Sequence, residues 1–165
     1  MKVAIIGNSG SGKTTLARAL AADRPIAILD LDLVFWQPGT AIERPSADRI
    51  ADVERFCREH DSWIIEGCYA DLVAATLPWH PELVFMDPGR DTCIANCRRR
   101  SHEPHKYQTQ EEQDQRLEFL LAWVADYYRR DGLMSHRAHQ ALFDGYRGPK
   151  RRISDPGPLR PDARH

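Results

Sequence analysis

The chain has 165 residues, which is the size of one domain that can bury a sizeable core. Its 23 Lys and Arg against 24 Asp and Glu give a net charge of −1, which excludes the global basic field of an obligate nucleic-acid binder. No apolar run approaches the ~20 residues that cross a bilayer, and the N-terminus continues into a strand-like pattern without a signal peptide. The four cysteines are then expected to be free thiols, and we predict a cytoplasmic protein with no membrane partner.

Apolar strands alternate with helices along the chain. Residues 3–6 form a continuous apolar run that is typical of a strand buried on both faces, residues 13–22 predict a helix, and residues 26–29 predict the next strand. The remaining elements are predicted in this order: a helix capped by Ser46, strands at 63–65 and 83–86, a helix from Asp91 to Arg100, a helix from 111 to about 130, and a short strand at 151–154. Such alternation predicts a parallel sheet wound in βαβ units, in which ligands gather at the carboxyl ends of the strands.

The turn after the first strand fits the phosphate-binding pattern G-x-x-x-x-G-K-[ST]. The matching residues are Gly7, Asn8, Ser9, Gly10, Ser11, Gly12, Lys13 and Thr14, and Thr15 follows them as a further nucleotide-binding position. In this pattern the backbone N–H groups and the helix N-terminus bind phosphates. Lys13 is predicted to reach the β- and γ-phosphates, and the Thr14 hydroxyl to bind Mg²⁺. The alternative is a plain turn between a strand and a helix.

Acidic residues follow the predicted strands at the same edge of the sheet. Asp30 and Asp32 come after the second strand, separated by one residue so that both face the same side. We predict that Asp32 orients or deprotonates a phosphoryl acceptor and that Asp30 lies at the metal. Glu66 ends the third strand and is expected to bind the hydration shell of Mg²⁺. The alternative is turn chemistry, which explains Asp87 after the fourth strand equally well.

Arginines surround a polar segment at about 100–112, which we predict to be a short lid. Arg98, Arg99 and Arg100 end one helix, and Arg116 lies in the next. The planar fork of arginine stabilises the charge that spreads over a transferring phosphoryl group, and a lid excludes water. Arg98, Arg100 and Arg116 are therefore predicted to be catalytic. The alternative is that cations at a helix C-terminus only satisfy the helix dipole.

Over residues 1 to about 143, these motifs resemble the adenylate-kinase and shikimate-kinase branch of small P-loop phosphotransferases. Ile64-Ile65-Glu66-Gly67 resembles the strand and acid-glycine motif of adenylate kinases, and Phe85-Met86-Asp87-Pro88 resembles the strand before their lid helix. The arginines at 98–100 and Arg116 resemble their lid arginines. The chain departs from adenylate kinases by lacking the Pro-Arg after the acid-glycine pair, and from shikimate kinases by lacking their glycine triplet.

Two stretches are more similar still to bacterial DNA topology modulation proteins, which are kinase-like and have no well-defined substrate. These stretches are Leu29-Asp30-Leu31-Asp32 with Trp36, and Ser62-Trp63-Ile64-Ile65-Glu66-Gly67 with Tyr69. The resemblance implies a three-layer α/β/α P-loop NTPase fold with a five-stranded parallel sheet in the order 2-3-1-4-5. It also implies ATP as donor and Mg²⁺ as cofactor. We expect a single domain over residues 1–155, a loose tail at 156–165, and an adenine-binding loop at 155–160.

Two functions are consistent with the sequence. The first is an ATP-dependent phosphotransferase that acts, as a monomer or homodimer, on a nucleoside, a nucleotide or a small metabolite. The second is a nucleotide-gated regulator or DNA-associated ATPase, suggested by the resemblance and by basic residues such as Arg147, Lys150 and Arg151. A solvated basic run explains those residues as well, so nucleic acid is not the favoured partner. A GTPase is disfavoured because no N-K-x-D motif is present.

Overall fold

Five parallel strands form one sheet in the computed structural model, which describes residues 1–104 and 107–157. The strands are β1 (Lys2–Gly7), β2 (Ala27–Asp30), β3 (Trp63–Gly67), β4 (Glu82–Met86) and β5 (Lys150–Ile153). Their spatial order is β2-β3-β1-β4-β5, and every neighbouring pair is parallel. The predicted order 2-3-1-4-5 is thereby confirmed, and with helices on both faces the fold is the predicted three-layer α/β/α arrangement.

Seven α-helices connect these strands in the part of the chain that the structure describes. They are α1 (Lys13–Ala21), α2 (Asp32–Phe35), α3 (Ser46–Glu59), α4 (Ala70–Ala74), α5 (Arg90–Arg98), α6 (Gln110–Ala125) and α7 (His136–Gly145). The predicted N-cap of α3 was wrong by one position, because Pro45 has the extended backbone of a cap and Ser46 is already helical. Helix α5 likewise begins after Gly89, so Asp91 lies in its first turn.

Helix α6 ends at Ala125, about five residues earlier than predicted. Arg130 explains the early end, because its guanidinium turns back and donates to the carbonyl groups of Trp123 and Met134. The same guanidinium lies 3.6 Å from the centre of the Trp123 ring. The chain is thus held in turns between α6 and α7, and Tyr128, which falls within the predicted helix, lies in these turns.

Strands β1, β3 and β4 are buried on both faces, as their continuous apolar patterns predict. The same expectation was wrong for β2, because β2 lies at the edge of the sheet and its Ile28 is 42% exposed. On one face, Val3 and Ile5 of β1 pack with Leu16 of α1. On the other face, Ala4 and Ile6 join a larger cluster that includes residues of α2, α3 and α4. A rigid sheet therefore supports the loops at its carboxyl edge.

The predicted lid lies between α5 and α6, and residues 110–112 of it belong to α6. His105, Lys106 and residues 158–165 lie outside the described residues, so the predicted tail and adenine-binding loop are described only through Gly157. All four cysteines are free, as predicted, and the structure buries all of them. Among the described residues, none of the helices is long and apolar enough to cross a membrane.

Candidate nucleotide and acceptor site

The predicted phosphate-binding loop, residues 7–14, lies between β1 and α1 at the carboxyl edge of the sheet and is called the phosphate loop below. Gly10 and Gly12 have φ angles of 78° and 95°, a left-handed backbone that favours glycine. A Cβ atom on Gly10 would collide with the Cys93 carbonyl of α5. Glycine is therefore required both for the turn and for the close approach of the loop to α5.

The loop presents backbone donors that no part of the described chain satisfies. Helix α1 has no side-chain cap, and within the described residues the amides from Gly12 to Thr15 donate no hydrogen bond. The Ser11 hydroxyl and Asn8 Oδ1 are also buried without a hydrogen-bond partner. Phosphate oxygens are the acceptors that fit such an array of amides at a helix N-terminus.

The side chains of Lys13 and Thr14 make different contacts at this loop. The Lys13 ammonium donates to the Asn8 carbonyl at 2.8 Å, so it lies along the loop. The Thr14 hydroxyl donates to Glu66 Oε1 at 2.5 Å. Glu66 is placed by β3, which pairs with β1 on one side and with β2 on the other. The structure therefore brings together the phosphate loop and the predicted carboxylate of strand three.

Glu66 is a buried carboxyl group, with 3% of its surface exposed. Burial raises its pKa, the neighbouring Lys13 ammonium lowers it, and the Asp30 and Asp32 carboxylates raise it again. A bound cation would therefore favour the ionised form of this group.

The residues fit the Mg²⁺ that the fold implies. Thr14 and Glu66 supply a hydroxyl and a carboxylate oxygen, the ligand types that Mg²⁺ prefers. No group of three His, Cys, Asp or Glu side chains in residues 1–104 and 107–157 is arranged to hold a metal ion. The metal would thus depend on nucleotide phosphates and water for its remaining ligands, as Mg²⁺ commonly does.

Asp30 and Asp32 do not share a strand face as predicted, because helix α2 begins at Asp32. Asp30 Oδ1 accepts the backbone N–H of Asp32 at 2.9 Å, which is the turn chemistry considered as the alternative. Asp32 Oδ1 accepts the hydroxyl of Tyr69 at 2.6 Å. Both carboxylates still lie close enough to Glu66 to raise its pKa. The role of Asp30 at the metal stays a prediction.

The predicted arginines occupy different places. Arg100 donates to the Ser9 hydroxyl of the phosphate loop at 3.1 Å and lies 3.5 Å from Glu103. Arg98 ends α5 with its side chain exposed. Arg116 lies on α6, exposed, 3.8 Å from Glu112 one turn earlier. Of the three, Arg100 is the arginine that the structure brings to the loop.

Several contacts of the site carry no local signal in the sequence. Asn96 of α5 donates to the Gly10 carbonyl at 2.8 Å, and Arg99 donates to Asn96 at 2.9 Å. The side-chain amide of Asn8 donates to the Val124 carbonyl of α6 at 3.1 Å. The contacts of Asn96 with Gly10 and of Asn8 with Val124 join residues 86 and 116 positions apart, so only the fold reveals that α5 and α6 support the loop.

No protein-family model matches the chain, and the comparison with curated proteins found no match. Solved structures match most of its length. A shikimate kinase from Bacteroides thetaiotaomicron is 18% identical, with 86% of this chain and 96% of that chain covered and a TM-score of 0.47. A deoxyadenosine kinase from M. mycoides with bound dATP is 11% identical, with coverages of 93% and 90% and a TM-score of 0.48. A sugar kinase from Janibacter sp. HTCC2649 is 18% identical, with coverages of 74% and 92% and a TM-score of 0.44. At identities of 11–18% these likenesses are distant.

Proposed function

We propose that the protein is an ATP-dependent phosphotransferase that moves the γ-phosphoryl group of ATP to a small-molecule acceptor. The observation that carries this proposal is the convergence of three parts at one edge of the sheet. The phosphate loop follows β1, the Thr14–Glu66 pair joins α1 to β3, and Asp32 follows β2 next to Glu66. A donor site and a carboxylate on its acceptor side thus lie beside each other.

On the donor side, the amides of the loop would bind the phosphates and Lys13 would leave the Asn8 carbonyl to contact the β- and γ-phosphates. When bound, Mg²⁺ would neutralise charge on the phosphate oxygens. Thr14 and Glu66 would hold it, directly or through water. Arg100, which already contacts Ser9, would stabilise the charge on the transferring group.

On the acceptor side, Asp32 would accept the proton of the attacking hydroxyl group. A bond forms between the acceptor oxygen and the γ-phosphorus, and the bond from that phosphorus to the bridging oxygen of ADP breaks. The proton passes to the Asp32 carboxylate, so charge and atoms balance. If the attacking group is itself a phosphate or carboxylate, it brings no proton, and Asp32 would instead accept a hydrogen bond from a neighbouring hydroxyl group of the acceptor.

The basic C-terminal segment gives the DNA-associated alternative little support. Lys150 donates to the carbonyl groups of Phe143 and Tyr146 at the end of α7. Arg151 pairs with Glu82 at 2.8 Å. Their charges are thus used within the fold instead of forming a free surface for phosphates. The four free thiols also fit a reducing compartment such as the cytoplasm.

The proposal is tested by ADP formation from ATP and Mg²⁺, alone and with separate pools of nucleosides, nucleoside monophosphates and hydroxylated metabolites. We expect one pool to raise the rate of the wild-type protein and not that of Lys13→Ala. Lys2→Ala, at the opposite edge of the sheet, is the matched control and keeps the wild-type rate. A wild-type rate that no pool raises above that of Lys13→Ala would overturn the proposal.

A further inference from the structure

Arg49 of α3 is a buried arginine with hydrogen-bond donors that are not used. The residue is 5% exposed, and its Nε and Nη1 atoms have no hydrogen-bond partner in the part of the chain that the structure describes. The carboxylate of Glu43 lies 3.6 Å from Nη1, which is longer than a hydrogen bond, and the Glu43 side chain is 58% exposed. Buried donors are normally paired, because an unpaired donor costs free energy, so these two atoms indicate a missing acceptor.

Two other arginines near the start of α3 differ from Arg49 in this respect. Arg44 donates to the Val34 carbonyl at 2.9 Å and to the Asp52 carboxylate at 2.6 Å. Arg55, on the same helix, lies 2.7 Å from Asp52. Unused buried donors are therefore a feature of Arg49 itself and not of the positive charge of this region.

Aromatic packing places Arg49 beside the acceptor half of the proposed site. Its guanidinium carbon lies 4.0 Å from the centre of the Phe35 ring, and the Tyr69 ring is stacked on Phe35 with 4.1 Å between ring centres. Two groups this close to one ring lie on its opposite faces. The Tyr69 hydroxyl in turn donates to Asp32 at 2.6 Å. Two stacked rings thus separate Arg49 from the contact with Asp32, a span that a small acceptor molecule can cover.

The N-terminus of α3 adds to the attraction for an anion. This helix begins at Ser46 without a side-chain cap, and the amides of Ser46 and Ala47 donate no hydrogen bond within the described residues. Helical side chains lean toward the N-terminus, so the Arg49 guanidinium lies at this end of the helix, next to Glu43. An arginine fork at a helix N-terminus suits a phosphate or a carboxylate group.

We propose that Arg49 binds an anionic group of the acceptor, a phosphate or a carboxylate. The anion would take the place of the exposed Glu43 side chain and accept hydrogen bonds from Nε and Nη1 of Arg49. This inference rests on the proposed function, because it names the class of acceptor for that site. It narrows the acceptor to molecules that carry an anionic group besides the group that is phosphorylated, and it disfavours uncharged nucleosides and sugars.

The binding test follows the Arg49 Nε–H signal by proton–nitrogen NMR, assigned with Arg49→Lys. The probes are inorganic phosphate and acetate, added separately at an ionic strength held constant with chloride. We expect a saturable downfield shift with phosphate, with acetate or with both, and the effective probe identifies the anion. The matched control Arg55→Gln also removes an arginine of α3 and should keep this shift. The proposal is overturned if neither probe shifts the signal more than chloride does, or if Arg55→Gln abolishes the shift.

The kinetic test measures ADP formation with acceptors in matched pairs, nucleosides against nucleoside monophosphates and sugars against sugar acids. We expect only charged members to raise the rate. Arg49→Gln should raise the KM for the acceptor about a hundredfold and leave the KM for ATP unchanged. Arg49→Lys, which keeps the charge and loses the planar fork, should give a smaller rise, and Arg55→Gln should stay within about twofold of wild type.

Two kinetic results would overturn the proposal: an uncharged acceptor that raises the rate as much as its charged counterpart, or an acceptor KM that is the same in Arg49→Gln and wild type. If no acceptor raises the rate, the proposed function fails. The NMR titration then decides by itself whether Arg49 binds an anion, because it does not depend on turnover.

Discussion

Two tyrosine hydroxyls donate to two aspartates at the carboxyl edge of the sheet, one on each side of β1, in very different surroundings. Tyr69 donates to Asp32 at 2.6 Å beside the carboxylates of Asp30 and Glu66. Tyr128 donates to Asp87 at 2.7 Å, and this aspartate also lies 3.3 Å from the His136 ring and 4.0 Å from Arg152. The same hydrogen bond thus lies beside other carboxylates in one place and beside a histidine and an arginine in the other.

The surroundings suggest different roles for the two aspartates. Asp87 joins the turn after α6, helix α7 and strand β5, so it ties three elements to the end of β4. Its contacts are those of a structural anchor. Asp32 stands next to the buried Glu66, which pairs with Thr14 of the phosphate loop, and this place suits a group that accepts a proton. Variants on each side of β1 distinguish a proton-accepting Asp32 from an anchoring Asp87.

The largest expected effect concerns Glu66, on the side of β3. Glu66→Ala removes the carboxylate that pairs with Thr14, so Mg²⁺-dependent ADP formation should fall on the order of a hundredfold. The Mg²⁺ concentration at half-maximal rate should also rise. The control is Glu82→Ala at the start of β4, where the carboxylate pairs with Arg151. Equal losses in both variants would contradict the assignment.

At the end of β4, Asp87→Asn should lower the free energy of unfolding and have little effect on the rate of ADP formation. The substitution weakens the contacts to Tyr128, His136 and Arg152, so we expect the free energy of unfolding to fall by about 2 kcal/mol. Urea unfolding measures this change. A variant that is as stable as the wild type would show that Asp87 is not an anchor.

The free energy of unfolding should also depend on pH, because a buried histidine lies on the Asp87 side of the sheet. His139 is buried. Its Nδ1 accepts a hydrogen bond from the Tyr127 hydroxyl at 2.7 Å, and its Nε2 lies 2.8 Å from the Cys68 carbonyl oxygen. Burial lowers its pKa from 6.5 to about 4, so the unfolded chain binds a proton at a higher pH than the folded one. This group's contribution is therefore fully present above pH 6.5 and is lost as pH falls toward 4.

Between pH 6.5 and 5, this single group should cost about 2 kcal/mol of unfolding free energy. Urea unfolding at several pH values is the measurement, and His139→Gln should show a shallower loss over that window. The same slope in both proteins would mean that other groups cause the dependence.

The smallest expected effect distinguishes the arginines. Arg100→Ala should lower ADP formation about tenfold, because Arg100 is the one of the three that contacts the phosphate loop. Arg98→Ala and Arg116→Ala should stay within about twofold of wild type, since both side chains are exposed. A larger loss in Arg116→Ala than in Arg100→Ala would show that another arginine acts at the site.

The strands and the phosphate loop could be predicted because their signals are local. A continuous apolar run marks a strand buried on both faces, and the loop pattern is contiguous from Gly7 to Thr14. Helices α2 and α4 were not predicted because four and five residues are too few to show a helical period. Helix α7 was also missed, although the sequence holds a signal for it: Ser135 caps its start, and Ala138, Ala141 and Leu142 recur at helical spacing.

The partners within the site could not be predicted for a different reason. Tyr69 was noted only as part of a resemblance, and its bond to Asp32 depends on how β2 and β3 pair. Asp87 has its partners on three separate elements. Nothing in the neighbouring sequence of either aspartate distinguishes the acceptor carboxylate from the anchor, because their partners are brought together by tertiary packing.

The most direct test of this division compares Asp32→Asn with Asp87→Asn in acceptor-dependent ADP formation, at a temperature where both variants are folded. The account predicts that Asp32→Asn loses at least about a hundredfold of the acceptor-dependent rate and keeps the slow acceptor-independent hydrolysis of ATP. Asp87→Asn should stay within about twofold of wild type. An unchanged rate in Asp32→Asn, or an equal loss in Asp87→Asn, would contradict the assignment of the acceptor side to Asp32.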